Sequence, residues 1–479
     1  MPSRRTSVTL YDIEARNPAP VRTGARSAND KGGPLRAELE GAAFQADPHA
    51  VLRRLTGSGA AHRCEPDGAP PQLMVTGYEA ARQVLTDPRV SKRSERAGLE
   101  PGWLMSGVRD EVGIDYMLTV DPPDHTRLRK LVTRAFTPQQ IEALRPRTRQ
   151  LADRFADVVL ALETPELIEG FAARVPIAVI CELLGVPLDD RDRFRWASEQ
   201  IVSPVAGSDR EEAYVWMSGY LAELITAKRA DPGQDLLSAL ADDTVEDRLS
   251  GPELVGMAFL LLIAGYETTA NLIGAVLLGV AQQPYLFKML RADPGLVPTA
   301  VEEFLRLDGP VLTATERFAT EDMRVGEVPV RRGDMLLVSL AAADRDPARF
   351  EEPDSFRLGR STGHLAFGHG VHHCLGAPLA RMEAAVAVTA LLERVESLEL
   401  AVDAGDLEWA PGLLMRGVRR LPVSAVLTSG SNSHYAWGLQ SCRWTSMSSA
   451  CSAFTAYATA ACAACGRPRS RPSVRRRRS

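Results

Sequence analysis

The chain has 479 residues, 45% of them apolar and 24% charged, with 37 Gly and 32 Pro. That composition excludes a collagen-like or wholly disordered polypeptide, and the length allows a large buried core. The formal charge of −5 hides an asymmetry: residues 430–479 carry eight Arg and no acid, which leaves 48 basic against 61 acidic side chains before them. Such a body does not seek nucleic acid through bulk electrostatics, and any basic docking surface on it must be local.

Residues 1–41 are rich in Pro, Arg, Gly and Ala without helical or strand periodicity and read as a mobile arm. No apolar segment follows Arg4-Arg5, so a secretory signal is not expected. The strongest apolar run, residues 254–264, falls short of the roughly 20 residues that a bilayer needs; the expectation is a soluble, cytoplasmic protein. Residues 48–87 read as helix, strand, helix, with Leu73-Met74-Val75 as the strand. Helical patterns then dominate, over residues 123–136, 138–162, 175–184, 189–202, 210–230, 236–240, 252–283, 285–292 and 298–307. A β-rich interlude with turn glycines Gly326 and Gly333 spans residues 311–340, and a loop then feeds a last long helix over 375–395. Residues 429–479 are dominated by Ser, Ala, Cys and Thr and read as a disordered, Arg-rich tail. Their Cys462-x-x-Cys465 pair lacks the further ligands a zinc site requires. Cys64, Cys181 and Cys374 in the body imply no disulfide framework.

The densest constellation is Phe367-Gly368-His369-Gly370-Val371-His372-His373-Cys374-Leu375-Gly376, just before the last helix. A dinucleotide fingerprint would need glycine where His373 stands. Zinc held by His369, His372, His373 and Cys374 would need four near-consecutive residues to converge tetrahedrally. The third reading is a thiolate in a glycine-rich loop at a helix N-terminus, stabilised by backbone N–H groups and the helix dipole and suited to ligate haem iron.

The order Phe367, Gly370, Cys374, Gly376 resembles the ligand loop of the cytochrome P450 family, and three further motifs extend the resemblance over about residues 42–428. The first is Ala264-Gly265-Tyr266-Glu267-Thr268-Thr269 in the longest helical pattern, where Glu267 and Thr268 resemble the oxygen-activating acid-alcohol pair. Tyr266 stands where related bacterial sequences often carry His. The second is Glu303-x-x-Arg306, in the family a buried ion pair. Its third member is commonly an Arg or His, but position 355 here is Ser355, which puts the triad in question. The third is His125-x-x-x-Arg129, which the resemblance makes haem-propionate ligands together with Arg317 and His372.

The resemblance implies a mainly α fold, with a long central helix over haem and small β-sheets. It implies haem b bound by His125, Arg129, Arg317, Phe367, Gly368, His372, Cys374 and Gly376, with Cys374 as the iron ligand. It also implies use of O2, with electrons from NAD(P)H through a separate ferredoxin and ferredoxin reductase. The family members most similar are actinomycete enzymes that hydroxylate or epoxidise macrolides and other polyketides. The expected activity is therefore monooxygenation of a hydrophobic secondary metabolite by a monomer, with no membrane or nucleic-acid partner. Terpenoid or steroid hydroxylation, oxidative coupling and peroxygenase chemistry are alternatives. Candidate substrate contacts are Trp103, Leu104, Leu260, Ala264, Val311, Leu312, Leu413 and Leu414, an apolar set of the kind that lines ligand pockets.

Overall fold

The main helices begin where the sequence supplies a cap. Thr137 and Gln140, and again Ser250 and Glu253, form reciprocal capping boxes in which side chain and backbone satisfy one another. Asp47 accepts from the N–H groups of His49 and Ala50. The computed structural model describes residues 39, 44, 47–64, 71–99, 115–133, 136–202, 209–242, 248–360, 363–410 and 412–428, all within the unit that ends at Thr428. The expected tail, and all but residue 39 of the expected arm, lie outside the described residues.

In chain order the elements are α1 (Pro48–Ser58), β1 (Ala61–Cys64), β2 (Gln72–Val75), α2 (Tyr78–Thr86), β3 (Val90–Ser91), α3 (Asp124–Thr133), α4 (Pro138–Leu160) and α5 (Arg174–Leu183). There follow α6 (Arg191–Val202), α7 (Arg210–Ala230), α8 (Leu236–Leu240), α9 (Gly251–Gln282), α10 (Pro284–Ala292) and α11 (Val297–Asp308). The remainder are β4 (Arg317–Ala319), β5 (Met323–Val325), β6 (Val328–Val330), β7 (Met335–Val338), α12 (Leu340–Ala343), α13 (Ala377–Leu392), β8 (Val395–Leu400) and β9 (Val423–Leu427). The fold is mainly helical.

One sheet runs β1-β2-β7-β4-β3. Its central pair, β2 and β7, is parallel with Leu73 opposite Leu336 and Val75 opposite Val338, and the other neighbours are antiparallel. The β5-β6 hairpin turns at Gly326, whose φ of 56° lies in the left-handed region that glycine occupies without cost. β8 and β9 form a separate antiparallel pair. The sequence reading did not foresee β1, β8 or β9, and it continued the last helix to residue 395, where β8 in fact begins.

α9 is the axis of the larger core. It packs against α5, α7, α11 and α13, and side chains around its circumference, including Leu254, Met257, Leu262, Leu272, Val276 and Leu277, are buried. A helix apolar on all sides belongs in an interior. α9 is long and apolar enough to cross a membrane, yet 56% of that apolar stretch is buried inside the fold. Its close fit to α11 rests on Gly279: a Cβ there would come within 2.3 Å of the Phe304 ring. At about 1.5–3 kcal/mol per fully buried large apolar side chain, this core fixes α9 against α13 and sets the spacing on which the site depends.

Candidate active site

Cys374 follows a turn of backbone that only glycine takes comfortably. Gly368 and Gly370 adopt φ of 72° and 74°. A Cβ on Gly370 would approach the Leu85 carbonyl to 2.7 Å, so the loop lies tight against the end of α2. Phe367 accepts the Cys374 N–H through its carbonyl at 2.9 Å, and Gly376 caps α13. Cys374 is solvent-accessible. Burial pushes its thiol up, opposed by the N–H groups of Gly376 and Ala377 and by the charges of Arg129 and Arg381. Among the described residues, no three His, Cys, Asp or Glu side chains converge as a metal site. The four-ligand zinc reading therefore has no geometry to support it.

The second feature, beside the cysteine loop, is positive charge with few anions to meet it. α3 buries His125, and both its ring nitrogens are buried without hydrogen-bond partners. Its ring lies 4.3 Å from that of His372. Burial, then the charges of Lys92, His125, Arg317 and Arg129, drive the His372 imidazole down to about 2. Burial also lowers Arg129, and it lowers Arg317 to about 10 with Glu316 and Asp121 opposing. Lys92, which sequence reasoning missed, belongs to this cluster. Its ammonium donates to Thr315 Oγ1 and the Glu316 carbonyl, both at 2.7 Å, while burial and Arg317 pull it down to about 7. Only its rarity, as one of five lysines, sets it apart in the sequence. Orphaned imidazole nitrogens amid buried cations make a receptor for carboxylates.

The third feature is on α9. In the middle of this otherwise buried helix Ala264 is exposed and Ile263, Gly265, Glu267 and Thr268 are half-buried. Thr268 Oγ1 donates to the Ala264 carbonyl at 2.6 Å, so the hydroxyl hydrogen is used within the helix and its lone pairs remain as acceptors. Tyr266 is turned into the core, at 7% exposure.

The doubt raised by Ser355 is corrected by the geometry around Glu303. Arg306 donates to both Glu303 carboxylate oxygens, at 2.9 and 2.8 Å, with both side chains buried. Arg306 reaches Ser355 through its main-chain carbonyl, at 3.3 Å, so the side chain at that position is not needed. A third cation does arrive from further along: Arg360 donates to Glu303 Oε1 at 3.1 Å and to the carbonyls of Glu351, Glu352 and Ser355. Beside it, Glu302 accepts two hydrogen bonds from Arg381 and meets His364 at 3.2 Å. Burial alone would raise this carboxyl, but those hydrogen bonds and charges hold it at about 2.

The candidate substrate contacts separate. Backbone pairing joins Leu312 to Leu414 and Val311 to Met415, bringing those two segments together. Leu312, however, is 3% exposed and packs with Leu52, Met74 and Leu413 beneath α1, and Leu260 is buried in the main core. These are core side chains. Ala264, Leu413 and Leu414 retain exposure. Trp103 and Leu104 lie outside the described residues.

The cytochrome P450 family profile matches residues 295–408. The chain is 45% identical over 388 residues to cytochrome P450 monooxygenase PikC of Streptomyces venezuelae, covering 79% of this chain and 91% of that protein. It is 41% identical over 356 residues to the mycinamicin IV hydroxylase/epoxidase of Micromonospora griseorubida, covering 73% and 88%. The solved structure of PksS, the P450 of the Bacillus subtilis bacillaene polyketide synthase, superposes with a TM-score of 0.76 at 36% identity, covering 81% of this chain and 99% of that one.

Proposed function

The chain belongs to the cytochrome P450 family, whose members are haem-dependent monooxygenases, and we propose that it oxidises a polyketide or related hydrophobic secondary metabolite. The observation that carries the reading of the site is the solvent-accessible Cys374 at the N-terminus of α13, in a loop whose His372 lies against the unpartnered His125 ring and its cluster of cations. These residues fit haem b. Cys374 would ligate the iron as thiolate, donating electron density, while His125, Arg129, Arg317 and His372, with Lys92, would meet the propionates. Phe367, Gly368 and Gly376 would shape the loop. Bound there, haem would supply the O2 activation by which one oxygen atom enters the substrate and the other leaves as water.

The chain's own contribution is proton management. Thr268, its hydrogen given to Ala264, keeps lone pairs with which it would accept a hydrogen bond from a proton-bearing group. Glu267, its half-buried neighbour, holds and passes protons at its carboxylate. Ala264, Leu413, Leu414 and Val311 would exclude water and orient an apolar substrate. The polyketide class rests on the similarity to the mycinamicin and bacillaene enzymes. Electrons would come from NAD(P)H through a separate ferredoxin and reductase, in the cytoplasm.

The deciding measurement is the optical spectrum of the purified protein, reduced under carbon monoxide, followed by titration with macrolide, polyketide, terpenoid and steroid panels. The expected result is a strongly red-shifted Soret band and a spin-state shift with a polyketide. A spectrum without thiolate-ligated haem would overturn the site assignment, and a shift with a steroid alone would overturn the substrate class.

A further inference from the structure

Glu302, Arg381 and His364 form a cluster that the proposed mechanism does not use. Arg381, on the second turn of α13, donates Nε to Glu302 Oε1 at 2.5 Å and a terminal nitrogen to Oε2 at 2.9 Å. His364 holds Oε2 from another side. The Arg381 guanidinium lies over the Phe367 ring, 4.4 Å from its centroid. The carbonyl of that same Phe367 receives the Cys374 N–H. As a stability device this pair is weak, because Arg381 is 37% exposed. As an electrostatic device it is well made: guanidinium is always charged, and a bidentate grip plus a stacked ring fix its position.

We propose that the Arg381–Glu302 pair is an oriented dipole that sets the reduction potential of the haem iron, with its positive end toward Cys374. This rests on the haem-thiolate reading above. Arg381 is seated over Phe367, the residue whose carbonyl holds the Cys374 N–H, whereas Glu302 on α11 meets Arg381 and His364. Reduction adds an electron to the iron, and a fixed positive charge nearby favours the reduced form. A cavity of about 250 Å³ reaches both Glu302 and Arg381 from outside.

The test is spectroelectrochemical titration of the haem-loaded enzyme and three variants. Arg381→Gln removes the near charge and is expected to lower the midpoint potential. Glu302→Gln keeps a hydrogen-bond acceptor for Arg381 but removes the opposing charge, and is expected to raise it by a smaller amount. Arg381→Lys, which keeps the charge, is expected to stay closer to the parent than Arg381→Gln. A merely structural pair would move the first two in the same direction or not at all, and either outcome overturns the proposal. If Arg381→Gln fails to retain haem, the sign of the Glu302→Gln shift decides alone. A parent enzyme without the thiolate Soret band would sink the haem-thiolate reading itself, which distinguishes that failure from unmoved potentials in an intact haem enzyme.

Discussion

A buried ammonium is costly unless an anion meets it, and Lys92 is buried beside Arg317, with Glu316 and Asp121 only opposing in part. An ordinary lysine titrates at 10.5, whereas burial, and then Arg317, bring Lys92 to about 7. Between those two values the unfolded chain binds a proton that the folded chain lacks. The stability of the haem-free protein should therefore rise with pH across that window, with this residue contributing at most about 1.4 kcal/mol per pH unit. Below about pH 7 both states are protonated and the penalty is constant. Urea unfolding of haem-free wild type and Lys92→Met across the window checks this, and identical slopes would refute it. Propionates arriving beside Lys92 would restore its charge, so the loaded protein should show a shallower slope. For Thr268, whose lone pairs remain available, Thr268→Ala should keep haem but divert NAD(P)H consumption from product to hydrogen peroxide. Unchanged coupling of product to NAD(P)H would remove its assigned role. Cys374 was legible because its loop has a fixed order of Phe, Gly and Cys; Lys92 was not, because its environment is assembled from Asp121 and from Thr315, Glu316 and Arg317, segments distant from it in sequence.

Glu303 shows how an element can be anchored through backbone and so escape motif reading. Arg306 and Arg360 together tie α11 to the carbonyls of residues 344, 351, 352, 353 and 355, and none of those acceptors is a side chain. Removing Arg306 leaves a buried carboxylate short of its main partner and should cost about 3–5 kcal/mol. Arg360→Ala loses hydrogen bonds to a charged group and should cost about 1.5–3 kcal/mol. Denaturant unfolding of the loaded variants tests both figures, and an Arg360→Ala protein as stable as the parent would mean that Arg306 holds Glu303 alone. The long helices were legible because capping boxes and apolar periodicity are local: residues 252–283 were expected and Gly251–Gln282 is found. The pairing of β2 with β7 was not, since 4-residue strands carry little periodicity and nothing in either names a partner some 260 residues away. β8 was absorbed into the preceding helix because Leu391, Leu392 and Val395 continue an apolar pattern that serves either structure.

Across the whole molecule, the charge balance constrains how electrons arrive. With 48 basic against 61 acidic side chains outside residues 430–479, this body would repel an acidic ferredoxin at long range. Close approach must then be won by a local basic face. The candidate surrounds the cysteine loop: Lys130 is exposed next to Arg129 on α3, Arg381 is partly exposed on α13, and Val371 offers an apolar contact at the loop's tip, 49% exposed. The two contributions respond oppositely to salt. Screening the net repulsion would speed association, whereas screening local attraction would slow it. At physiological ionic strength the Debye length is about 8 Å, so contacts across a docked face dominate over charges on the far side of the body. Ferredoxin-dependent reduction, followed by stopped-flow under carbon monoxide, should therefore slow as ionic strength rises. Lys130→Glu should slow it further at low salt, with the difference between variant and parent shrinking at high salt. A rate that climbs with salt in both proteins would show that bulk repulsion governs the encounter and that the face around Cys374 is not where the carrier docks.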